Sequence, residues 1–215
     1  MKPKAVILDI DGTLVDSNYQ HVIGWQRAFA DSGFEIAAWR IHRCIGMGGD
    51  QIVTVLAGED AESESGDAIR ESEGGHYKSL MPEVKVFDGA PELVNRLKEA
   101  GHAVVLASSA KQEEVEHYVE LLGAADRIDG FTSSADVDTT KPEPDLIEAA
   151  LEKAGTREAV MVGDSVWDVE SASRAGIDSI AVLCGGFGEA ELQGAGARVV
   201  VTSIGDAFDE VQSSG

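Results

Sequence analysis

From residue 86 onward, short apolar runs alternate with amphipathic stretches, and this alternation constrains the fold more tightly than any other feature of the chain. HAVVLASS (102–109), RIDGFTSS (127–134), EAVMVGDS (158–165), DSIAVLCGG (178–186) and RVVVTS (198–203) read as strands. Between them, APELVNRLKEAG (90–101), KQEEVEHYVELLG (111–123), KPEPDLIEAALEKAG (141–155) and VWDVESASRAG (166–176) place apolar residues at helical spacing. The prolines of the third helix fall at its start, where they are tolerated. Strands alternating with helices imply a parallel sheet covered on both faces. Lys4 to Ile10 supplies a further strand, apolar on both faces as a central parallel strand requires.

The alternation fails between about residue 16 and residue 86. Residues 17–32 have helical periodicity, with Ser17 at the N-cap and Gly33 suited to the C-cap. Residues 35–80 read as helical pieces broken by IGMGGD (45–50) and by the acidic GEDAESESGD (58–67), which reads as a mobile loop. The expected architecture is α/β, a doubly wound parallel, Rossmann-like sheet core with an inserted small helical cap domain. The core is expected over residues 1–16 and 86–215, and the cap over residues 17–85.

Open α/β sheets bind ligands at the carboxyl ends of their strands. Asp9 and Asp11 follow the first strand. Aspartate is ill suited to a strand interior, and a charge beside a core is costly unless paired. The plain alternative for this pair is a solvated strand end. Ser108 and Ser109 follow the second strand, Lys141 precedes a helix, and Gly163-Asp164-Ser165 follows a later strand with Asp168 four residues beyond Asp164. In a doubly wound sheet these four places converge on one crevice. Gathered carboxylates call for a cation, and oxygen-only ligands select a hard one, Mg²⁺. A lysine and a hydroxyl beside it make a cradle for a phosphate. One ionised aspartate can then attack phosphorus. The other, turned aside at Gly12, can protonate the leaving alcohol and deprotonate the attacking water.

A net charge of −22 argues against nucleic acid as a partner. The apolar runs are too short to span a bilayer, and MKPKAVILDID has no cleavable leader. Cys44 and Cys184 lie far apart without metal-ligand spacing, which implies free thiols and a cytoplasmic setting.

Asp9-Ile10-Asp11-Gly12-Thr13-Leu14 resembles the first motif of the haloacid dehalogenase-like hydrolase superfamily. Leu106-Ala107-Ser108-Ser109 resembles its second motif, Lys141-Pro142 its third, and Gly163-Asp164-Ser165-Val166-Trp167-Asp168 its fourth. All four occur in the family's order, each beside an expected strand end. The resemblance implies that Asp9 is the nucleophile and a Mg²⁺ ligand. It makes Asp11 the general acid/base, with its carbonyl also on the metal. Ser108, Ser109 and Lys141 would hold phosphoryl oxygens, with Lys141 also damping repulsion among the carboxylates. Asp164 would bind Mg²⁺ directly, and Asp168 would act on it or orient its neighbours. The insert would be the family's helical cap.

Halide-displacing members lack the second acid of the first motif, so the presence of Asp11 implies a phosphatase or a phosphomutase. Asp16-Ser17-Asn18-Tyr19-Gln20-His21 is similar to the cap hinge of the β-phosphoglucomutase branch, which carries a histidine at the place of His21. That branch also has an arginine in the loop matching residues 45–51, where this chain has none; Arg40 and Arg43 lie just before it. Gly163-Asp164 follows the phosphatase form of the fourth motif. The expectation is therefore a Mg²⁺-dependent phosphatase acting on a small phosphorylated metabolite, similar to phosphoglycolate phosphatase. A mutase is the alternative. His21 and Arg43 are the candidate cap contacts. A monomer is expected, with a dimer through the cap as the alternative. Trp25, Trp39 and Trp167 are expected to be packing residues, and Asp136 and Asp138 loop acids. A receiver module shares the acids, lysine and sheet, but the long insert after the first strand argues against it.

Overall fold

In the computed structural model, residues 3–213 are described. Met1 and Lys2, at the start of the stretch MKPKAVILDID, and Ser214 and Gly215, within the expected core limits, lie outside them. The chain runs β1 (Ala5–Leu8), β2 (Val15–Asp16), α1 (Asn18–Asp31), α2 (Ala38–His42), α3 (Gly49–Ala57), α4 (Glu59–Leu80) and β3 (Lys85–Val86). It continues α5 (Ala90–Glu99), β4 (Ala103–Ala107), α6 (Gln112–Leu122), β5 (Gly130–Thr132), α7 (Asp145–Ala154), β6 (Ala159–Gly163) and α8 (Val166–Arg174). The last elements are β7 (Asp178–Val182), α9 (Glu189–Ala195), β8 (Val199–Val201) and α10 (Ala207–Ser213).

Six strands form one parallel sheet in the order β5-β4-β1-β6-β7-β8. The strands are apolar on both faces because each face packs on helices. Val6, Leu8, Val104, Leu106, Val160 and Val162 face α5, α6 and α10. Ile7, Val105, Ala107 and Met161 face α7 and α8. The period-two alternation of a strand thus divides between two cores. β1 is central, and the chain winds outward from it first through β4 and β5, then through β6, β7 and β8. That reversal of winding opens a crevice at the carboxyl end of β1.

Helices α1 to α4 leave the core after β2 and return at β3. Those two short strands pair antiparallel, Val15 with Val86 and Asp16 with Lys85, so the outgoing and returning chains are tied together. The helices have their own apolar cluster, including Val22, Trp25, Phe29, Ile41, Ile52, Val53 and Ile69.

The expected mobile loop at 58–67 is instead the start of a 22-residue helix. The charges of residues 59–67 lie toward solvent, while Ala61, Gly66, Ile69, Glu73 and Tyr77 are buried along one side. Glu59, Asp60 and Glu62 in the first turn suit the helix dipole. Helix α7 begins at Asp145, later than expected, because Lys141 is drawn into the crevice. Ser17 does occupy the N-cap place of α1, but its hydroxyl bonds Asp11 rather than the helix backbone. The two-strand pair and α10 were not legible as periodic segments. Cys44 and Cys184 are free thiols. Among the described residues, no helix is long and apolar enough to cross a membrane.

Candidate active site

Asp9, immediately after β1, is 6% exposed, and Asp164, immediately after β6, is 1% exposed. Thr13 joins them: its hydroxyl lies 3.1 Å from Asp9 Oδ2 and 2.9 Å from Asp164 Oδ1. Asn18 Nδ2 donates to Asp164 Oδ2 at 3.0 Å and to the Gly185 carbonyl at 3.1 Å. Gly12 turns the chain between these groups with φ +77°, and a Cβ there would lie 2.5 Å from Asp164 Oδ2. No other residue fits that turn.

Lys141 is fully buried. Its Nζ lies 2.5 Å from Asp9 Oδ1, 2.7 Å from Asp168 Oδ1, and donates to the Ala107 carbonyl at 2.8 Å. Asp168 is fixed from the other side, where Oδ2 accepts from the Ser165 amide at 3.1 Å and hydroxyl at 2.6 Å in a capping box. Burial and the charge of Asp168 push Asp9 up to about 7, against the pull of Lys141. Burial, with Asp168 and Asp9, also raises Asp164 well above the usual carboxylate range. Burial alone would lower Lys141, but Asp168 and Asp9 outweigh it and hold its ammonium charged. Asp9, Asp164 and Asp168 each present an oxygen within 4.8 Å of the others. A crowded, all-oxygen, desolvated set with one lysine against three acids suits a small hard dication.

Asp11 turns away from this cluster. Ser17 donates to Oδ1 at 2.5 Å, Ser108 to Oδ2 at 3.3 Å, and His21 Nε2 lies 3.3 Å from Oδ1. His21 Nδ1 is 3.2 Å from Glu73 Oε1, and its ring stacks on Tyr77 with centroids 3.6 Å apart. Burial works against the imidazolium, but the two carboxylates outweigh it and raise His21 to about 10. Burial likewise opposes the Asp11 carboxylate, yet His21, Ser17 and Lys141 hold it below its ordinary range.

These groups open into a cavity of about 300 Å³ between the core and the helical unit. Asp9, Asp11, Ser108 and Ser109 line it from the core, and His21, Trp25, Met47 and Arg70 from the helices. Loop 45–50 reaches the core directly. Thr140 bonds Asp50 through its hydroxyl, and Gln51 Nε2 donates to the Thr140 and Lys141 carbonyls at 2.9 and 3.2 Å. A Cβ at Gly48 would lie 1.7 Å from Thr140 Oγ1, so this close approach requires glycine.

Of the sequence-derived candidates, Asp9, Asp11, Ser108, Lys141, Asp164, Asp168 and His21 come together. Ser109 lines the cavity, its hydroxyl 3.5 Å from the Gly46 carbonyl. Arg43 does not join them. Its guanidinium pairs with Glu191 and lies over the Phe187 ring, because α2 places it on the far side of the loop. Trp39, expected to pack, is 69% exposed. Trp25 both packs in the helical cluster and lines the cavity. Asp138, expected to be a plain loop acid, also lines it, whereas Asp136 caps a turn with Ser133 and pairs with Lys153. Sequence reasoning missed Thr13, Asn18, Glu73, Arg70 and Glu114. Thr13 sits inside the first motif and Asn18 inside the hinge stretch 16–21, so a signal for each was present; the acidic run concealed Arg70 and Glu73, and Glu114 is one of several acids on α6.

The sequence profile described as haloacid dehalogenase-like hydrolase matches residues 6–182. The chain belongs to the haloacid dehalogenase-like hydrolase family. It is 29% identical over 186 residues to a putative pyrophosphatase PpaX of Caldanaerobacter subterraneus, covering 85% of this chain and 82% of that relative. It is 27% identical over 227 residues to a phosphoglycolate phosphatase of Rhodospirillum rubrum, covering 99% and 94%. Among solved structures, a hydrolase from Pseudomonas syringae superposes with a TM-score of 0.92 at 31% identity, covering 99% of both chains. Membership of this hydrolase family assigns the chain to the enzymes, and its core carries the family's fold.

Proposed function

We propose that this enzyme is a Mg²⁺-dependent phosphatase that hydrolyses a small phosphate monoester, phosphoglycolate-like or a sugar phosphate, through an aspartyl-phosphate on Asp9. The observation that carries the reading is the buried set of Asp9, Asp164 and Asp168 around Lys141 at the ends of β1 and β6. Relatives named as phosphatases support the reaction class. Asp9, Asp164 and Asp168, with the Asp11 carbonyl, would hold Mg²⁺, which would supply positive charge at the phosphoryl oxygens.

The Asp9 carboxylate attacks phosphorus while Asp11, taking a proton from the His21 imidazolium 3.3 Å away, passes it to the departing alcohol as the P–O bond breaks. Asp11, ionised once more, then takes a proton from the water that attacks phosphorus in the Asp9 acyl phosphate, breaking its P–O bond and releasing phosphate and the Asp9 carboxylate. Ser108 and Lys141 hold the phosphoryl oxygens, with Ser109 beside them. His21 orients Asp11 from the helical unit. Residues 17–85 act as a cap on a core of residues 1–16 and 86–215, excluding bulk water during the first step. We place the enzyme in the cytoplasm as a monomer, with no nucleic-acid or membrane partner.

A β-phosphoglucomutase-like reaction needs a free arginine on the helical unit to grip a second phosphate. Arg70, the arginine at the cavity, is held by Glu62 and Asp67, which favours hydrolysis. The test is phosphate release from a panel of phosphate esters with and without Mg²⁺. Mg²⁺-dependent release is expected. Conversion of β-glucose 1-phosphate to glucose 6-phosphate with a bisphosphate primer, and no release, would replace hydrolysis by the mutase reading.

A further inference from the structure

Helix α6 follows directly on Ser108 and Ser109 and forms the cavity wall beyond the phosphate cradle. Among the described residues, Glu114 is the half-buried acid of this cavity whose carboxylate has no hydrogen-bond or ion-pair partner. Asp9 faces Lys141, Asp11 faces Ser17, Glu73 faces His21, and Asp50 faces Thr140. Burial pushes the Glu114 carboxyl up to about 7, with Glu73 and Asp11 adding to it against His21 and Lys111. A desolvated acceptor without a donor is costly unless something that enters the cavity supplies one.

The surrounding charge decides what that is. A second anion on the substrate would meet Glu114, Glu73 and Asp50. Arg70 is the cation that would offset them, but both its terminal nitrogens are engaged, by Glu62 at 2.8 and 2.9 Å and by Asp67 at 2.8 Å. His21 is spent between Asp11 and Glu73. Lys111, one turn before Glu114, lines the same wall without an ion-pair partner; one ammonium against Glu114, Glu73 and Asp50 leaves the wall net acidic, and it serves as a donor. Trp25, Ile45 and Ile52 give the opposite wall an apolar surface for a carbon skeleton.

We infer that Glu114 and Lys111 read hydroxyl groups on an uncharged leaving group, so that the substrate is a polyol or sugar phosphate with one anionic group. This rests on the phosphatase reading and narrows it, setting phosphoglycolate-like esters aside. Glu114 is then a specificity-determining residue, and the chemistry stays with Asp9 and Asp11.

The test compares kcat/KM for hexose 6-phosphates, glycerol 3-phosphate, 2-phosphoglycolate and an aryl phosphate, all with Mg²⁺. The best polyol ester is expected to exceed 2-phosphoglycolate by about tenfold or more. In Glu114→Leu, the ratio of polyol to aryl ester turnover is expected to fall by about 10- to 100-fold, and Glu114→Gln, which keeps an acceptor, by less. The inference alone is overturned if the aryl ester is hydrolysed but 2-phosphoglycolate outruns every polyol ester, or if the ratio is unchanged in both variants. Phosphate release from none of the esters would overturn the phosphatase reading and this inference together.

Discussion

At the carboxyl ends of β1 and β6, Asp9, Asp164, Asp168 and Lys141 are at most 6% exposed and each is held by protein partners. Across the cavity, Glu114 and Lys111 stand on α6 without partners, and Arg70 turns its charge toward its own helix. The first wall is tied by protein partners and carries an excess of negative charge, three acids against one lysine. The second leaves hydrogen-bonding capacity open. On the proposed mechanism, the groups that meet phosphorus in one geometry are fixed by short bonds at the strand ends. Groups that discriminate among leaving groups can stay unsatisfied until the substrate arrives.

Breaking the first wall should produce the largest effects. Asp9→Asn is expected to lower kcat by roughly 10⁴-fold or more. It should retain part of the Mg²⁺ affinity, since Asp164 and Asp168 remain; steady-state assays and calorimetry check both. Full activity in that variant would sink the mechanism. Lys141→Met leaves Asp9 and Asp168 buried without their cation, and is expected to cost about 3–5 kcal/mol of stability by urea denaturation. Added Mg²⁺ should restore part of that loss.

The raised Asp9 gives a smaller, graded effect. Protons on Asp9 and Asp164 compete with a dication, so Mg²⁺ affinity should rise with pH. Below about pH 7 it should fall by about tenfold or more per pH unit. The Mg²⁺-induced rise in Tm should therefore be larger at about pH 8 than at about pH 5.5. A shift independent of pH would remove Asp9 from the ligand set. The smallest effect sharpens the contrast from outside the cavity. Arg43→Ala should change kcat/KM by less than about twofold, because this exposed pair with Glu191 lies away from both walls.

The core wall was legible in the sequence because its signals are local. Asp9, Asp11, Ser108 and Asp164 each follow an apolar run whose length and alternation already imply a buried strand, and parallel winding brings those strand ends together; Lys141 was legible only from its place before a helix. Even there the partner of each group was hidden. Thr13 bridges Asp9 and Asp164 across 151 residues, a pairing that no spacing encodes. The helical unit was far less legible. Residues 58–67 read as a loop because the charge run outweighs the few small residues that α4 buries. Arg43 looked like the cation nearest the loop, whereas Arg70, a turn before Glu73 on the same helix, is the arginine at the cavity. Which side of a short helix faces the site depends on how it packs, and a five-residue helix such as α2 carries too few turns to show that in its pattern.

The central claim is that Asp9 carries the phosphoryl group. It is tested most directly by a single turnover with Mg²⁺ and an aryl phosphate, quenched in acid and mapped by mass spectrometry. The account expects a phosphoryl group on the peptide containing Asp9, absent in Asp9→Asn and absent without Mg²⁺. A phosphoryl group on another residue, or Mg²⁺-dependent turnover persisting in Asp9→Asn, would contradict it.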